Sequence, residues 1–277
     1  MTRILLLGES WFVHSIHQKG FDSFTTSEFT LGGAEFTAAL RAAGHEVTHL
    51  PCHEIVDGLP ATAEELRAVA DVVVVSDVGA NTLQLPPATF ARSETAVDLV
   101  DVLRRFAELG GGLLMAGGYM TFSGIDAKAR WGRTALASAL PVGVLDRDDR
   151  VELPAGAVPR VLAPHPITDG LGDVWPALLG LNEVTVREGA TELASCAGHP
   201  LLVVGEYGAG RTAAYTSDIA PHWAPPGFVQ WEGYGPLFDR LVRWLAGDPL
   251  GDGGDDGAAA AVAGVVLPAE TIDGDAA

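Results

Sequence analysis

The stretch Gly111-Gly-Leu-Leu-Met-Ala-Gly-Gly-Tyr-Met-Thr-Phe122 decides the fold of this chain. Within it, Leu113–Met115 is a short apolar run that predicts a buried strand, and a pair of glycines follows almost at once. Because glycine accepts backbone angles that other residues resist, Gly117-Gly118 predicts a tight strand-to-helix elbow. In many α/β enzymes such a corner presents a nucleophile at the carboxyl edge of the sheet. Here the tip carries Gly118 and Tyr119, and neither a serine nor a cysteine stands there.

The rest of the first half repeats the pattern of short apolar runs separated by helix-like segments. We predict parallel strands near residues 3–8, 46–50, 71–76 and 112–116. This alternation is typical of an α/β protein with a doubly wound, mainly parallel sheet. In the second half, Ala127–Ala139 has a helical pattern, and Arg211–Thr216 is expected to add a late strand to the same sheet.

Composition predicts one domain followed by a tail. The chain has 277 residues, of which 48% are hydrophobic, and this suffices for a sizeable core over residues 1–247. Residues 248–277 are rich in Gly, Asp and Ala, so we expect them to be mostly disordered, since they bury too little to offset ordering entropy. Ala261–Leu267 is the apolar patch of this tail.

Charge and motifs exclude several classes of partner. A net charge of −19 disfavours nucleic acids and anionic membrane surfaces. No apolar run approaches the length of a membrane span, and no signal peptide is recognisable. Cys52 and Cys196 do not form a disulfide framework, so we expect a cytoplasmic protein. Gly8-Glu-Ser10 lacks the glycines and lysine of a nucleotide loop, and no cofactor is predicted. Homo-oligomerisation stays open.

Polar and aromatic residues follow several of the predicted strands. In open parallel sheets, ligands bind beyond the carboxyl ends of the strands. The residues expected to border one cleft there are Glu9, Ser10, Trp11, Asp77, Gly118, Tyr119, Asp218, His222 and Trp223. Among these, Ser10, Trp11, Gly118, Tyr119 and Trp223 are the ligand-binding candidates. The sequence therefore predicts a pocket for a small molecule.

The catalytic candidates are Glu9, Asp77, Asp218 and His222. Either Glu9 or Asp77 would act as a base, and Asp218 is close enough in sequence to orient the His222 imidazole as an acid. Glu9 and Asp77 also have purely structural interpretations. Glu9 would cap a following helix or pair with Lys19, and Asp77 would form an Asx turn.

His14 and His17 give a weaker alternative. Their spacing of three would put both imidazoles on one face of a helix, which suits two metal ligands. Local spacing fixes no third ligand, so no metal site is assigned.

Several of these segments together resemble a known family. They are Leu5-Leu-Leu-Gly-Glu-Ser10, His17–Asp22, Asp71–Asp77, Gly110–Phe122, His165-Pro-Ile, Gly208-Ala-Gly-Arg-Thr, Thr216-Ser-Asp218 and His222-Trp223. The chain resembles the class I glutamine amidotransferase-like superfamily, in the bacterial "putative glutamine amidotransferase" branch near the trehalose-utilisation-type proteins. The resemblance implies a flavodoxin-like sheet with the elbow described above.

The same resemblance exposes a chemical departure. Glutamine amidotransferases place a cysteine within Gly-x-Cys-x-Gly at the elbow, and Gly118 stands at that position here. The late His-x-Glu pair has no counterpart; the nearest segment is Ser217–His222. A thioester mechanism is therefore not expected. Two hypotheses stay open: a protein that binds and transforms a small polar metabolite by non-covalent acid–base chemistry, and a non-catalytic binding, regulatory or oligomeric module. A third and weaker hypothesis is metal-assisted hydrolysis through His14 and His17.

Overall fold

A computed structural model describes residues 1–250 of the chain. Its strands are β1 (Arg3–Gly8), β2 (Ser10–Lys19), β3 (Asp22–Leu31), β4 (Glu46–Leu50), β5 (Val72–Ser76), β6 (Gly112–Ala116), β7 (Val142–Val144), β8 (Arg150–Ala157), β9 (Arg160–Val161), β10 (Leu178–Asn182), β11 (Val184–Val186), β12 (Thr191–Cys196), β13 (His199–Tyr207) and β14 (Gly210–Tyr215). Its helices are α1 (Ala34–Ala42), α2 (Ile55–Gly58), α3 (Ala63–Val69), α4 (Asn81–Gln84), α5 (Pro87–Arg92), α6 (Leu99–Glu108), α7 (Pro226–Val229) and α8 (Tyr234–Ala246). The patch Ala261–Leu267 and nearly all of the predicted tail lie outside the described residues.

Eight strands form the central sheet, in the order β4-β1-β5-β6-β14-β13-β12-β9. The first five are parallel, and β13, β12 and β9 extend the sheet in antiparallel fashion. The predicted α/β fold with a flavodoxin-like, mainly parallel sheet is thus confirmed. The strand order reverses beside β1, since the chain leaves β1 for β4 and returns to β5 on the other side.

The parallel strands are continuous apolar runs because both faces of the sheet are covered. Side chains alternate between the faces: Leu6 packs in the same core as residues of α1 and α8, whereas Leu5 and Leu7 pack with residues of α3 and α6. The β13–β14 turn at Gly208-Ala209 reverses the chain so that β14 runs parallel to β6. This late strand therefore ends at the same edge as β1, β5 and β6.

Three segments differ from the sequence predictions. The turn at Gly117-Gly118 leads into a loop and then a short 3-10 turn, Ile125–Ala127, and not directly into a helix. After β1 the chain forms an antiparallel hairpin, β2–β3, which pairs with no other strand among the described residues. We call residues 10–31 the hairpin arm. Ala127–Ala139 is not one helix but part of three short 3-10 turns. Positive φ angles at Asp126 and Arg130 interrupt the helical path there.

Candidate functional site

A cavity of about 730 Å³ opens at the carboxyl edge of the sheet. Residues that follow all four of the adjacent strands β1, β5, β6 and β14 line it, together with the base of the hairpin arm and the start of α1. The lining side chains with polar or aromatic groups include Glu9, Trp11, Thr30, Glu35, Asp77, Tyr119, Asp218 and His222. This edge is where ligands bind in open parallel sheets.

Glu9 lies at the floor of this cavity, directly after β1. Its backbone has φ 47°, an uncommon angle for a residue other than glycine. Its carboxylate accepts a hydrogen bond from the Ser76 hydroxyl, and the residue is only 4% exposed. Burial raises the pKa of Glu9 to about 8, a shift that the Ser76 hydrogen bond opposes and the charges of Asp77 and Asp218 reinforce. Neither the helix cap nor the Lys19 pair is formed, because a strand follows Glu9.

Asp77 follows β5 and also has a positive φ, 43°. Its Oδ1 accepts a hydrogen bond of 2.8 Å from the backbone N–H of Met120, just beyond the elbow. Burial raises the pKa of Asp77, and the nearby Asp218 carboxylate adds to the effect. Strained backbone persists where the surrounding structure enforces it and clusters at functional sites. Two such residues, at the ends of neighbouring strands, therefore single out this edge.

The elbow residue Gly118 lies between two carboxylates. A Cβ at this position would be 2.9 Å from Asp77 Oδ1 and 3.0 Å from Asp218 Oδ1, and φ here is +146°. The Asn182 side chain fixes the peptide, since its Oδ1 accepts from Gly118 N–H at 3.0 Å and its Nδ2 donates to Gly118 C=O at 3.2 Å. The space that a cysteine side chain would need is therefore bounded by carboxylate oxygens.

Asp218 and His222 form a hydrogen-bonded pair at the end of β14. Asp218 Oδ2 is 2.9 Å from His222 Nδ1 and also accepts from the Trp223 N–H at 2.9 Å. Hydrogen bonding to Asp218 raises the pKa of His222, whereas burial raises the pKa of Asp218 itself. Since Asp218 binds Nδ1, Nε2 is the ring nitrogen through which His222 would exchange a proton with a ligand.

Tyr119 forms an aromatic wall beside this pair. Its ring lies 4.5 Å from the His222 ring, centroid to centroid, in an edge-to-face arrangement. The Arg150 guanidinium lies 4.8 Å over the Tyr119 ring, and the Tyr119 hydroxyl donates to Glu152 at 3.0 Å. Glu152 also accepts from the indole of Trp223, so it holds two of the aromatic side chains at once.

Five of the residues named from the sequence do not line the cavity: Ser10, Gly118 and Trp223, and the two histidines His14 and His17. The Ser10 hydroxyl accepts from the Cys52 N–H at 2.7 Å, and Trp223 is buried behind His222. His14 and His17 lie on β2, where an odd spacing places side chains on opposite faces, so the single helical face assumed for them is wrong. They contact Ser27 and Thr26 respectively. Across residues 1–250, no three His, Cys, Asp or Glu side chains are arranged to hold a metal ion.

A larger cavity of about 850 Å³ lies elsewhere, around His165, Asp169, Arg240 and Arg243. Residues from 161–173, from helix α8 and Leu250 line it. Burial lowers the pKa of His165, but no buried carboxylate lines the space. We place the candidate site at the smaller cavity, because strained backbone, raised carboxylate pKa values and the strand ends coincide there.

Sequence reasoning did not identify Asn182, Glu152 or Glu35. Asn182 and Glu152 lie on the paired strands β10 and β8, in the irregular second half where hydrophobic periodicity is weak. Glu35 lies in the first turn of α1, and its position at the cavity depends on how the hairpin arm returns to the sheet. No local motif distinguishes any of the three from an ordinary surface residue.

Comparison with known proteins agrees with this architecture. Residues 3–247 match the family described as "Putative glutamine amidotransferase", and the chain belongs to that family. Two solved structures from Salmonella typhimurium are similar to it. The cytoplasmic protein STM3548 is 39% identical, with a TM-score of 0.85, and the match covers 88% of this chain and 98% of that one. The cytoplasmic protein STM1381, from strain LT2, is 42% identical, with a TM-score of 0.84, and the match covers 87% and 98%.

A ThuA-like protein from Parabacteroides merdae shares the fold at 13% identity, with a TM-score of 0.53 and coverage of 89% of this chain and 91% of that one. At this identity the likeness shows a common fold. No curated protein matches the sequence. The two Salmonella proteins are described as cytoplasmic, in agreement with the predicted localisation. Among residues 1–250, no helix has the length and apolar character needed to cross a membrane.

Proposed function

We propose that this protein binds a small, neutral or hydroxyl-rich metabolite in the carboxyl-edge cavity and transforms it by non-covalent acid–base chemistry. The observation that carries the proposal is the convergence of the Asp218–His222 pair with Glu9 and Asp77 around one space. Paired groups whose pKa values are pushed in useful directions are typical of general acid–base sites.

The charge of the cavity selects the ligand class. Glu35, Asp77 and Asp218 line it beside Glu9, and the negative charges of these three carboxylates would repel phosphates and carboxylates. Hydroxyl groups can donate to these carboxylates, and the rings of Trp11 and Tyr119 offer apolar contact for the carbon skeleton of a sugar-like molecule. Glu9, with its pKa raised to about 8, carries a proton at neutral pH and can donate a hydrogen bond.

The roles then follow from the geometry. His222, held through Nδ1 by Asp218, would supply or accept a proton at Nε2. Asp77 would act as the base on the other side of the elbow, because its remaining oxygen is not needed for the Met120 N–H. The absence of a Cβ at Gly118 lets the Asp77 and Asp218 carboxylates come close to each other at this end of the cavity.

A metabolite screen by thermal shift tests binding, because a ligand that binds the folded state alone raises the melting temperature. The same screen on His222→Gln and Asp77→Asn should lose the hits, whereas His165→Gln, in the larger cavity, should keep them. Hits that persist in His222→Gln and Asp77→Asn but vanish in His165→Gln would refute the location.

A non-catalytic binding module is the second candidate, favoured by the glycine at the position of the family nucleophile. Incubating a confirmed ligand with the protein in D₂O separates the two. Deuterium incorporation or product formation that His222→Gln abolishes supports catalysis. Binding with an unchanged ligand spectrum supports the module.

A further inference from the structure

The hairpin arm leaves an unusually apolar surface open to solvent. None of residues 11–31 is buried, although they form two ten-residue strands with regular pairing. Eight large hydrophobic side chains of the arm are exposed, with fractions from 41% at Trp11 to 109% at Phe21. A two-stranded hairpin is at best marginally stable in water without a surface to pack on. This arm therefore needs a cover that the described residues do not supply.

The size of this surface matches one half of a stable interface. Taking about 200 Å² for a complete large side chain, the eight exposed fractions sum to about 900 Å² of apolar surface over the two faces and the turn of the hairpin. This is similar to the roughly 800 Å² that each partner contributes to a standard interface.

Charge identifies the partner. The chain carries a net charge of −19, yet the arm holds only Lys19, Asp22 and Glu28 as charged residues. Two copies would repel one another over most of their surfaces and least at the arm. An anionic membrane or a nucleic acid would need a basic footprint, which one lysine does not provide.

We propose that the hairpin arm is a self-association surface and that a second copy of this chain covers it. A symmetric contact uses the same patch on both copies, so the exposed Phe12, Ile16 and Phe29, which share one face of the hairpin, would meet their equivalents. His53 of the chain's own body packs edge-on against Phe12 and Phe29, but the two side chains stay 54% and 42% exposed, so both can still contact a partner.

The arm also connects this surface to the candidate site. Trp11 and Thr30, a cross-strand pair at its base, line the carboxyl-edge cavity. Covering the arm would therefore restrain one wall of that cavity. The self-association itself does not depend on the proposed function, because it follows from exposure, area and charge alone.

Sedimentation of the full chain over a wide range of protein concentrations tests the proposal. The wild type should sediment as a multiple of 28.8 kDa, and Ile16→Asp and Phe21→Asp should each weaken association at least tenfold or give the 28.8 kDa monomer. The control is Phe90→Asp on α5, where the side chain is 77% exposed, close to the 79% of Ile16; it should associate like the wild type. Unchanged circular dichroism and melting of the monomer would show that the variants fold.

Ionic strength provides a second readout. Salt screens the repulsion between two acidic copies, so association of the wild type should strengthen as salt rises, whereas an interface of ion pairs would weaken. A wild type that stays monomeric at every concentration would overturn the proposal, as would arm variants that associate as tightly as the wild type. A monomer that sediments with anionic phospholipid vesicles would assign the arm to a membrane and overturn it equally.

Discussion

Replacing Glu9 by glutamine should stabilise the protein, and the gain should depend on pH. The pKa of this carboxyl rises from its ordinary 4.5 to about 8 in the fold, chiefly because burial disfavours its charged form. A raised acid pKa contributes stability that is fully present below pH 4.5. That contribution declines as the pH rises and is fully lost above about pH 8. Glutamine cannot ionise, so the variant should not show this decline.

The magnitude follows from the same values. One pKa unit corresponds to about 1.4 kcal/mol, so a rise from 4.5 to about 8 gives a ceiling of about 5 kcal/mol above pH 8. At pH 7 the wild type should have lost about 3 kcal/mol of this, and Glu9→Gln should be more stable by roughly 2–3 kcal/mol. The glutamine Oε1 can still accept from the Ser76 hydroxyl, so the variant keeps the contact seen in the fold.

Urea unfolding of both proteins at pH 4.5, 6 and 8 measures this difference. Glu64→Gln, at an exposed position in the first turn of α3, controls for the loss of one acidic group from an acidic protein. The free-energy difference between Glu9→Gln and wild type should grow with pH, whereas that for Glu64→Gln should stay nearly constant. A Glu9→Gln difference that is the same at all three pH values would refute the assigned burial of a carboxyl with a raised pKa.

Four further predictions follow from the site and the chain ends. Gly118→Ala should lower the free energy of unfolding by about 3 kcal/mol or more, because it adds a Cβ close to two carboxylates at a φ of +146°. Gly44→Ala, with φ +86° and no neighbour within 4 Å, should lower it by about 1–2 kcal/mol. Equal losses of stability in thermal unfolding would contradict the crowding at the elbow. NMR titration should place the pKa of His222 above its ordinary 6.5, and Asp218→Asn should lower it; an unchanged titration in that variant would show that Asp218 does not hold the ring. Purified protein should not release ammonia from glutamine through a thiol, since burial raises the pKa of Cys52 and raises that of Cys196 to about 11; activity that Cys52→Ala or Cys196→Ala abolishes would be the contrary result. Truncation after Gly247 should leave the melting temperature nearly unchanged, because residues 248–277 lack the composition of a core; a loss of many degrees would show that residues 248–277 stabilise the fold.

The parallel core could be predicted because its strands are buried on both faces. Such strands read as continuous apolar runs, as in Val72–Val75, and their shared direction sets which residues meet at the carboxyl edge. This shared direction is enough to place Glu9 and Asp77 at the same edge as Tyr119. The position of Asp218 depended on the direction of β14, which periodicity does not determine and which the β13–β14 hairpin fixes.

The hairpin arm was not predicted because its strands are exposed on both faces. The alternation that marks a half-buried strand is therefore missing from Trp11–His17, and a doubly wound fold favours a helix after its first strand. One signal was present in the sequence. Gly20-Phe21 forms a two-residue turn between Lys19 and Asp22, with glycine at the first position and φ 63°, and aromatic and β-branched residues flank it.

The carboxylate pair around Gly118 also lies beyond sequence reasoning. Aligning the elbow with the family motif shows that the nucleophile is missing, but not what surrounds the vacant position. The environment of Gly118 depends on the side-chain direction of Asp77, on the Asn182 amide and on the Asp218–His222 hydrogen bond. The contacts of Gly118 with these side chains join distant parts of the chain.

A crystal structure of the protein with a ligand from the metabolite screen tests the central claim most directly. We expect the ligand in the carboxyl-edge cavity, within hydrogen-bonding distance of His222 Nε2 and of Asp77 or Glu9, and in contact with the Tyr119 ring. A ligand bound instead around His165 and Arg240, with the carboxyl-edge cavity occupied by solvent alone, would contradict the proposed site.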